Sequence, residues 1–207
     1  MHPNPAFRTQ TREENLAFVR DRGFGQLCVN GDGGPLAAHV PFLIDAEGQS
    51  VELHLLRSNP IARHLSDGPA PALLSVTGPD GYISPDWYAI PDQVPTWNYV
   101  AVHLRGPLEA AAPTELHPML DRLSAAFEAR LEPKRPWTTD KMPSDLMARM
   151  MRTIQPFRLR IESVEGTWKL NQNKTDAARA AAADMLEAFG EGEAALLAAL
   201  MRGAAET

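Results

Sequence analysis

The order of hydrophobic patterns predicts an α+β fold, an antiparallel sheet or barrel with peripheral helices. Two observations carry this. Runs with period-two alternation are separated by glycine- and aspartate-rich turns through the first half of the chain. Helical patterns cluster around them instead of alternating strand by strand, so a parallel βαβ sheet is not expected.

The elements follow in order. Thr11-Arg12-Glu13-Glu14 has the form of a capping box, with Thr11 as cap and Glu14 reaching back. Leu16, Phe18 and Val19 supply the apolar face of the helix, and Gly23 ends it. From Phe24 to about Pro79 the pattern is strand-like, broken at Gly31-Asp32-Gly33-Gly34 and again at Asp45-Ala46-Glu47-Gly48. Val51, Leu53 and Leu55 alternate with Glu52 and His54, as in a half-buried strand. Asn59 then caps a short helix with Pro60 at its first position. Val100, Val102 and Leu104 mark another strand, and Phe157, Leu159 and Ile161 a further one. Between these two lies a helical insertion, about residues 113–152. Leu120, Leu123, Phe127 and Leu131 form one face of its first helix, and Ser144 is the expected cap of its second. An alanine-rich helix from Thr175 to Phe189 and a last helix from Ala194 to Met201 close the chain, so C-terminal helices are expected over about 175–203. No repeat or linker divides the 207 residues, and a single domain is expected.

Composition narrows the function. A formal net charge of −6 opposes binding to a phosphate backbone unless the basic residues cluster. Cys28 is the only cysteine, so no internal disulfide or thiolate metal site can form. Its flanks read as a strand, and a buried thiol is expected. The N-terminus lacks a basic start followed by an apolar run, and no stretch is long enough to span a membrane, which together point to a cytoplasmic protein. Dinucleotide, P-loop, zincin and nucleophile-elbow motifs are absent. The six histidines lie at positions 2, 39, 54, 64, 103 and 117 without helical i, i+3 or i+4 pairing, so no metal site is expected.

Three segments are more polar or aromatic than a plain barrel needs. In His54-Leu55-Leu56-Arg57-Ser58-Asn59-Pro60, a strand delivers Arg57 and Ser58 to a helix start. This is a phosphate cradle or an ordinary cap beside an exposed arginine. In Val94-Pro95-Thr96-Trp97-Asn98-Tyr99, Trp97 and Tyr99 point to one face and Asn98 to the other. These residues suit a flat, hydrogen-bonding ring, or the two aromatics are core. In Trp168-Lys169-Leu170-Asn171-Gln172-Asn173-Lys174, carboxamides and an ammonium end a strand, and the Asn-Gln-Asn run is expected to cap the next helix. They contact a ligand or partner, or form a solvated turn.

These segments together resemble the PaiB-like family, known as FMN-binding negative transcriptional regulators. The resemblance runs along nearly the whole chain. Pro3 and Phe7 match its start, and His39-Val40-Pro41-Phe42-Leu43 its next signature. Its H-L-x-R-x-N-P element matches His54, Leu55, Arg57, Asn59 and Pro60, and its Y-I-S-P-x-W-Y element Tyr82 to Tyr88. V-P-T-W-N-Y is whole from Val94 to Tyr99, followed by Val102, His103 and Gly106. K-L-x-Q-N-K/R matches Lys169, Leu170, Gln172, Asn173 and Lys174. Two features depart from the pattern. The loop Ala89-Ile90-Pro91-Asp92-Gln93 is short and lacks the usual lysine, and Asn171 stands where serine is usual.

The resemblance implies a split β-barrel like that of pyridoxamine-phosphate oxidase, a homodimer, and FMN held between subunits. His39, Arg57, Ser58, Asn59, Trp97, Asn98, Tyr99, Lys169, Gln172 and Asn173 are the expected cofactor-binding residues. Direct DNA binding is not expected, because no helix-turn-helix accompanies the acidic charge. Three roles stay open: a flavin-binding regulator or sensor, a flavin-dependent oxidoreductase acting on a small molecule, and a haem-binding split barrel. His39, His54 and His103 are candidate proton handlers or structural histidines.

Overall fold

The computed structural model describes residues 1–204. The first helix, α1 (Arg12–Arg22), starts as the capping box requires. The Thr11 amide donates to Glu14 Oε2 at 2.7 Å, and the Glu14 amide donates to Thr11 Oγ1 at 3.2 Å. Strands β1 (Phe24–Gly31) and β2 (Gly34–Ile44) form a hairpin in which Gly31 pairs with Gly34 across Asp32-Gly33. Asp45 organises the turn into β3 (Ser50–Leu56), with its carboxylate accepting from the Gln49 amide at 2.7 Å and from Ser50 Oγ at 2.6 Å. The five-residue helix α2 (Pro60–His64) follows, capped by Asn59 Oδ1, which accepts from the Ile61 amide at 2.9 Å.

Two long strands come next, β4 (Ala70–Ile83) and β5 (Thr96–Ala110). The insertion supplies α3 (Leu116–Glu128) and α4 (Ser144–Met151). Ser144 does not cap α4. Pro143 holds the cap position and no side chain bonds there, because the serine already lies within the first turn. Strands β6 (Ile154–Arg160) and β7 (Ser163–Lys169) lead to α5 (Asp176–Phe189) and α6 (Ala194–Gly203). No described helix is long and apolar enough to cross a membrane.

The strands hydrogen-bond in the order β4-β1-β2-β3-β6-β5-β7, with an additional β4–β5 pairing. That last pairing closes six strands into a ring and leaves β7 as a branch on β5. Strand β5 accommodates three neighbours because it is 15 residues long, and only its end, Leu108–Ala110, pairs with β6. The fold is an antiparallel split β-barrel with flanking helices.

The chain groups into two compact units. One comprises Val19–Ser75 and Leu104–Val164. Its interior holds Leu27, Val29, Phe42, Val51, Leu53, Phe157 and Leu159, the inward sets of β1, β2, β3 and β6. Gly106 belongs to this unit, and a Cβ there would lie 1.8 Å from the Arg160 carbonyl oxygen, so only glycine fits. Cys28 is half-buried rather than in the core, because Leu27 and Val29 take the inward positions of β1. The other unit comprises Met1–Phe18, Val76–His103 and the chain from Glu165 onward. Its core is Ile83, Tyr88, Val100 and Leu170 packed with Ala178, Ala182, Ala183, Leu186, Leu197, Ala198 and Met201 of α5 and α6.

Candidate functional site

Within the second unit, three of the sequence elements that stood apart along the chain meet. Lysine side chains from the end of β7 make two of the links. Lys169 donates from Nζ to Thr96 Oγ1 at the start of β5, 73 residues away. Lys174 donates from Nζ to Gln93 Oε1 and lies over the Tyr88 ring, 5.2 Å from its centroid. Tyr88 closes the third link, its hydroxyl donating to Asn171 Oδ1 at 3.2 Å. The Tyr82–Tyr88, Val94–Tyr99 and Trp168–Lys174 segments therefore form one cluster.

Its backbone is held by unusual local geometry. Asn171 is left-handed, with φ of 64°, a conformation asparagine tolerates better than most residues. Gln172 is buried and folds back on its own turn. Its Oε1 accepts from the Leu170 amide at 2.8 Å and its Nε2 donates to the Trp168 carbonyl at 2.6 Å. The Asn-Gln-Asn run therefore shapes the turn and does not cap α5. Thr175 is the cap, accepting from the Ala178 amide. Asn173 is exposed. The lysine-free loop before β5 bends through left-handed Ala89 and Asp92 and receives Lys174 from β7's end instead of carrying a lysine itself.

The cluster sets two lysines against neutral partners. Burial pushes the Lys169 ammonium below its ordinary pKa. Its hydrogen-bond partner is a neutral hydroxyl, and that of Lys174 a neutral carboxamide. Burial raises the Tyr88 phenol, and the bond to Asn171 offsets part of that rise. On β5 the faces alternate as expected, with Trp97 exposed, Asn98 buried and Tyr99 half-buried. Trp97 is not a core residue. Asn98 is fully buried with neither Nδ2 nor Oδ1 partnered. An orphaned carboxamide in an apolar interior is costly, and both its atoms await a hydrogen-bonding group.

The remaining expected residues belong to the first unit. His39 is exposed on β2 opposite Gln26 and stacks on Phe24, with ring centroids 6.4 Å apart. Arg57 is exposed at the β3–α2 corner. Its Nε donates to the Arg152 carbonyl at 3.0 Å and its Nη1 to Gln155 Oε1 at 3.3 Å. Ser58 is exposed beside it, and Asn59 is engaged as the α2 cap. His54 is half-buried on β3, and burial lowers its pKa.

Tyr88, Gln93, Asn171 and Lys174 stand in the sequence motifs or the loop between them, but not among the expected cofactor-binding residues. Tyr88 was legible as part of an aromatic turn, but its partner is 83 residues away and nothing local announces it.

The sequence profile of the family described as "Putative FMN-binding domain" matches residues 1–163. This chain belongs to the PaiB-like FMN-binding family. Among relatives of that family, "Protease synthase and sporulation protein PAI 2" of Bacillus subtilis (strain 168) is 28% identical over 172 residues, covering 82% of this chain and 81% of the relative. Among solved structures, the FAD and heme binding protein from Mycobacterium smegmatis superposes with a TM-score of 0.56 at 20% identity, covering 79% of this chain and 73% of the other. The flavocytochrome Anf3 from Azotobacter vinelandii gives 0.52 at 15% identity, covering 77% and 68%. These two show a shared fold. The PaiB-like chain is thus a flavin-binding split-barrel protein.

Proposed function

We propose that this PaiB-like chain is a flavin-dependent regulator or sensor, with FMN as its resident cofactor. The observation that carries the reading is the cluster of Lys169, Lys174 and Asn98. It offers two ammonium groups with neutral partners and, on the face of β5 that carries Thr96, a buried carboxamide with both polar atoms unpartnered. Such a set fits a ligand that is anionic at one end and flat with hydrogen-bonding edges at the other. Asn98 and Lys169 offer polar contacts to the ring system, and Trp97 and Tyr99 offer ring faces on the opposite face of β5. Gln172 and Asn173 hold and border the turn that carries Lys169. The other unit, taken by itself, offers Arg57 and Ser58 as a candidate phosphate cradle, with Asn59 holding their corner in place and His39 adding an exposed imidazole. Bound FMN supplies the redox chemistry, and the protein positions it and sets its surroundings.

A regulatory role is supported by the name of the Bacillus subtilis relative, which speaks of sporulation. A homodimer in the cytoplasm is the proposed working form. The test is to reconstitute the purified protein with FMN, reduce it without oxygen, and readmit air. A sensor shows flavin bands that bleach and return while NAD(P)H is consumed no faster than by free FMN. Sustained NAD(P)H turnover would make the chain an oxidoreductase. A sharp Soret band in place of flavin bands would make it a haem protein.

A further inference from the structure

The second unit contains a cleft of about 490 Å³ that shares only Trp97 with the proposed flavin contacts. Tyr82, Trp87, Trp97 and Phe189 line it, together with Asp80 and Glu191. Its aromatic walls are open to solvent, with Trp97 54%, Tyr82 47% and Phe189 70% exposed. Tyr82 and Trp97 stand edge to face, with centroids 6.3 Å apart and planes at 72°. That arrangement presents a ring face at an angle to a neighbouring ring edge, without the two rings covering each other. Gly81 brings the strand close to the helices, since a Cβ there would lie 3.2 Å from Leu186 and from Leu197.

Exposed aromatic surface of this extent is costly in water and marks a binding surface. The charge decides what binds. Asp80 and Glu191 are exposed carboxylates in the cleft lining, and no basic side chain among the described residues pairs with either. An anionic ligand such as FMN is repelled there. A cation gains twice, from the carboxylates and from the negative faces of the rings. The volume suits a small molecule.

We propose that this cleft is a binding site for a small organic cation, an alkylated ammonium or protonated amine seated among Tyr82, Trp87, Trp97 and Phe189 with its charge toward Asp80 and Glu191. The site is distinct from the flavin contacts on the lysine side of the cluster, although Trp97 is common to both. It gives the protein a second input beside its cofactor, and it stands whether or not that cofactor is used for sensing.

The probe is choline, compared with its neutral isostere 3,3-dimethylbutan-1-ol, titrated by calorimetry and tryptophan fluorescence into the full chain with and without FMN. Choline should bind saturably and at least about fivefold tighter than the alcohol. Asp80→Asn and Glu191→Gln should each weaken choline by about three- to fivefold, and Phe189→Ala by about fivefold. FMN affinity should stay within about twofold in all three variants. Equal binding of choline and the alcohol, no saturation by about 10 mM choline, or loss of choline binding when FMN is saturating would each overturn the proposal. The last result would assign the cleft to the flavin itself and leave the flavin reading intact.

Discussion

Asn98 and Arg57 show two ways in which a polar residue can be held ready. Asn98 cannot turn to water, being fully buried, and its unpartnered amide is a desolvation cost that a bound ligand or an internal water would offset. Arg57 is exposed but not loose. Its bonds to the Arg152 carbonyl and to Gln155 fix the guanidinium while leaving its charge without a carboxylate. If it contacts the FMN phosphate, losing that charge-assisted bond costs roughly 1.5–3 kcal/mol, about 10- to 150-fold in affinity. Arg57→Ala should therefore weaken FMN binding by that factor and hardly change riboflavin binding. Equal losses in parallel titrations of the two flavins would mean that Arg57 only braces the end of α4. His54 gives a second prediction. Burial holds its folded pKa below the ordinary 6.5, so the unfolded chain takes up a proton first as pH falls. Its contribution is intact above about pH 6.5 and is lost as pH drops through the lower folded value. The difference in melting temperature between pH 7.5 and 5.5 should shrink in His54→Gln. An unchanged difference would assign the acid sensitivity to other groups.

At the scale of elements, the buried Arg179 joins the two terminal helices. It is 5% exposed, donates from Nε to the Met201 carbonyl at 2.9 Å and from Nη2 to Asp176. The Met201 carbonyl is in the last turn of α6 and otherwise accepts only a long bond from the Ala204 amide at 3.4 Å, so Arg179→Ala leaves it weakly satisfied and opens a void. Urea unfolding should show a loss of about 2–4 kcal/mol, and a loss under about 0.5 kcal/mol would mean that water replaces the guanidinium. This contact also shows what sequence reading reached. The helix containing Arg179 was legible from its alanine-rich pattern, but the 22-residue reach to Met201 was not. The capping box of α1 and the alternation in β3 and β5 were legible because their signals are local. β7 was visible only at its lysine end. Its buried pair, Gly166 and Thr167, is small and polar, and its burial shows no period of two. The site divides in the same way. Lys169, Trp97 and Asn98 were picked out individually from their motifs, but the clasp between Lys169 and Thr96 is a tertiary event without a local trace.

For the whole molecule, assembly and partner are the open choices. A PaiB-like homodimer should sediment at about twice the 22.7 kDa chain mass at micromolar concentration. A monomer that still binds FMN fully would sink the proposed assembly. Such a dimer carries a formal charge near −12, twice the −6 of one chain. Several arginines are spoken for as well. Arg122 is bonded to Glu52, Arg158 to Glu115, Arg160 to Glu162, and Arg202 to Asp184 and Glu187. A guanidinium already held by a carboxylate gains little from a phosphate, and non-specific DNA binding draws on several such contacts and falls steeply with salt. Specific readout also needs an element that enters a groove. The helices α5 and α6 offer little for that task, because their basic residues are the buried Arg179 and Arg202, which is held by Asp184 and Glu187. The expected outcome is that this chain alone does not bind DNA specifically, and that any regulation runs through the flavin or through a protein partner. Labelled promoter DNA titrated at about 150 mM salt against excess random DNA checks this. Saturable binding that survives the competitor would restore a direct repressor, and the basic surface responsible would then have to form across the dimer.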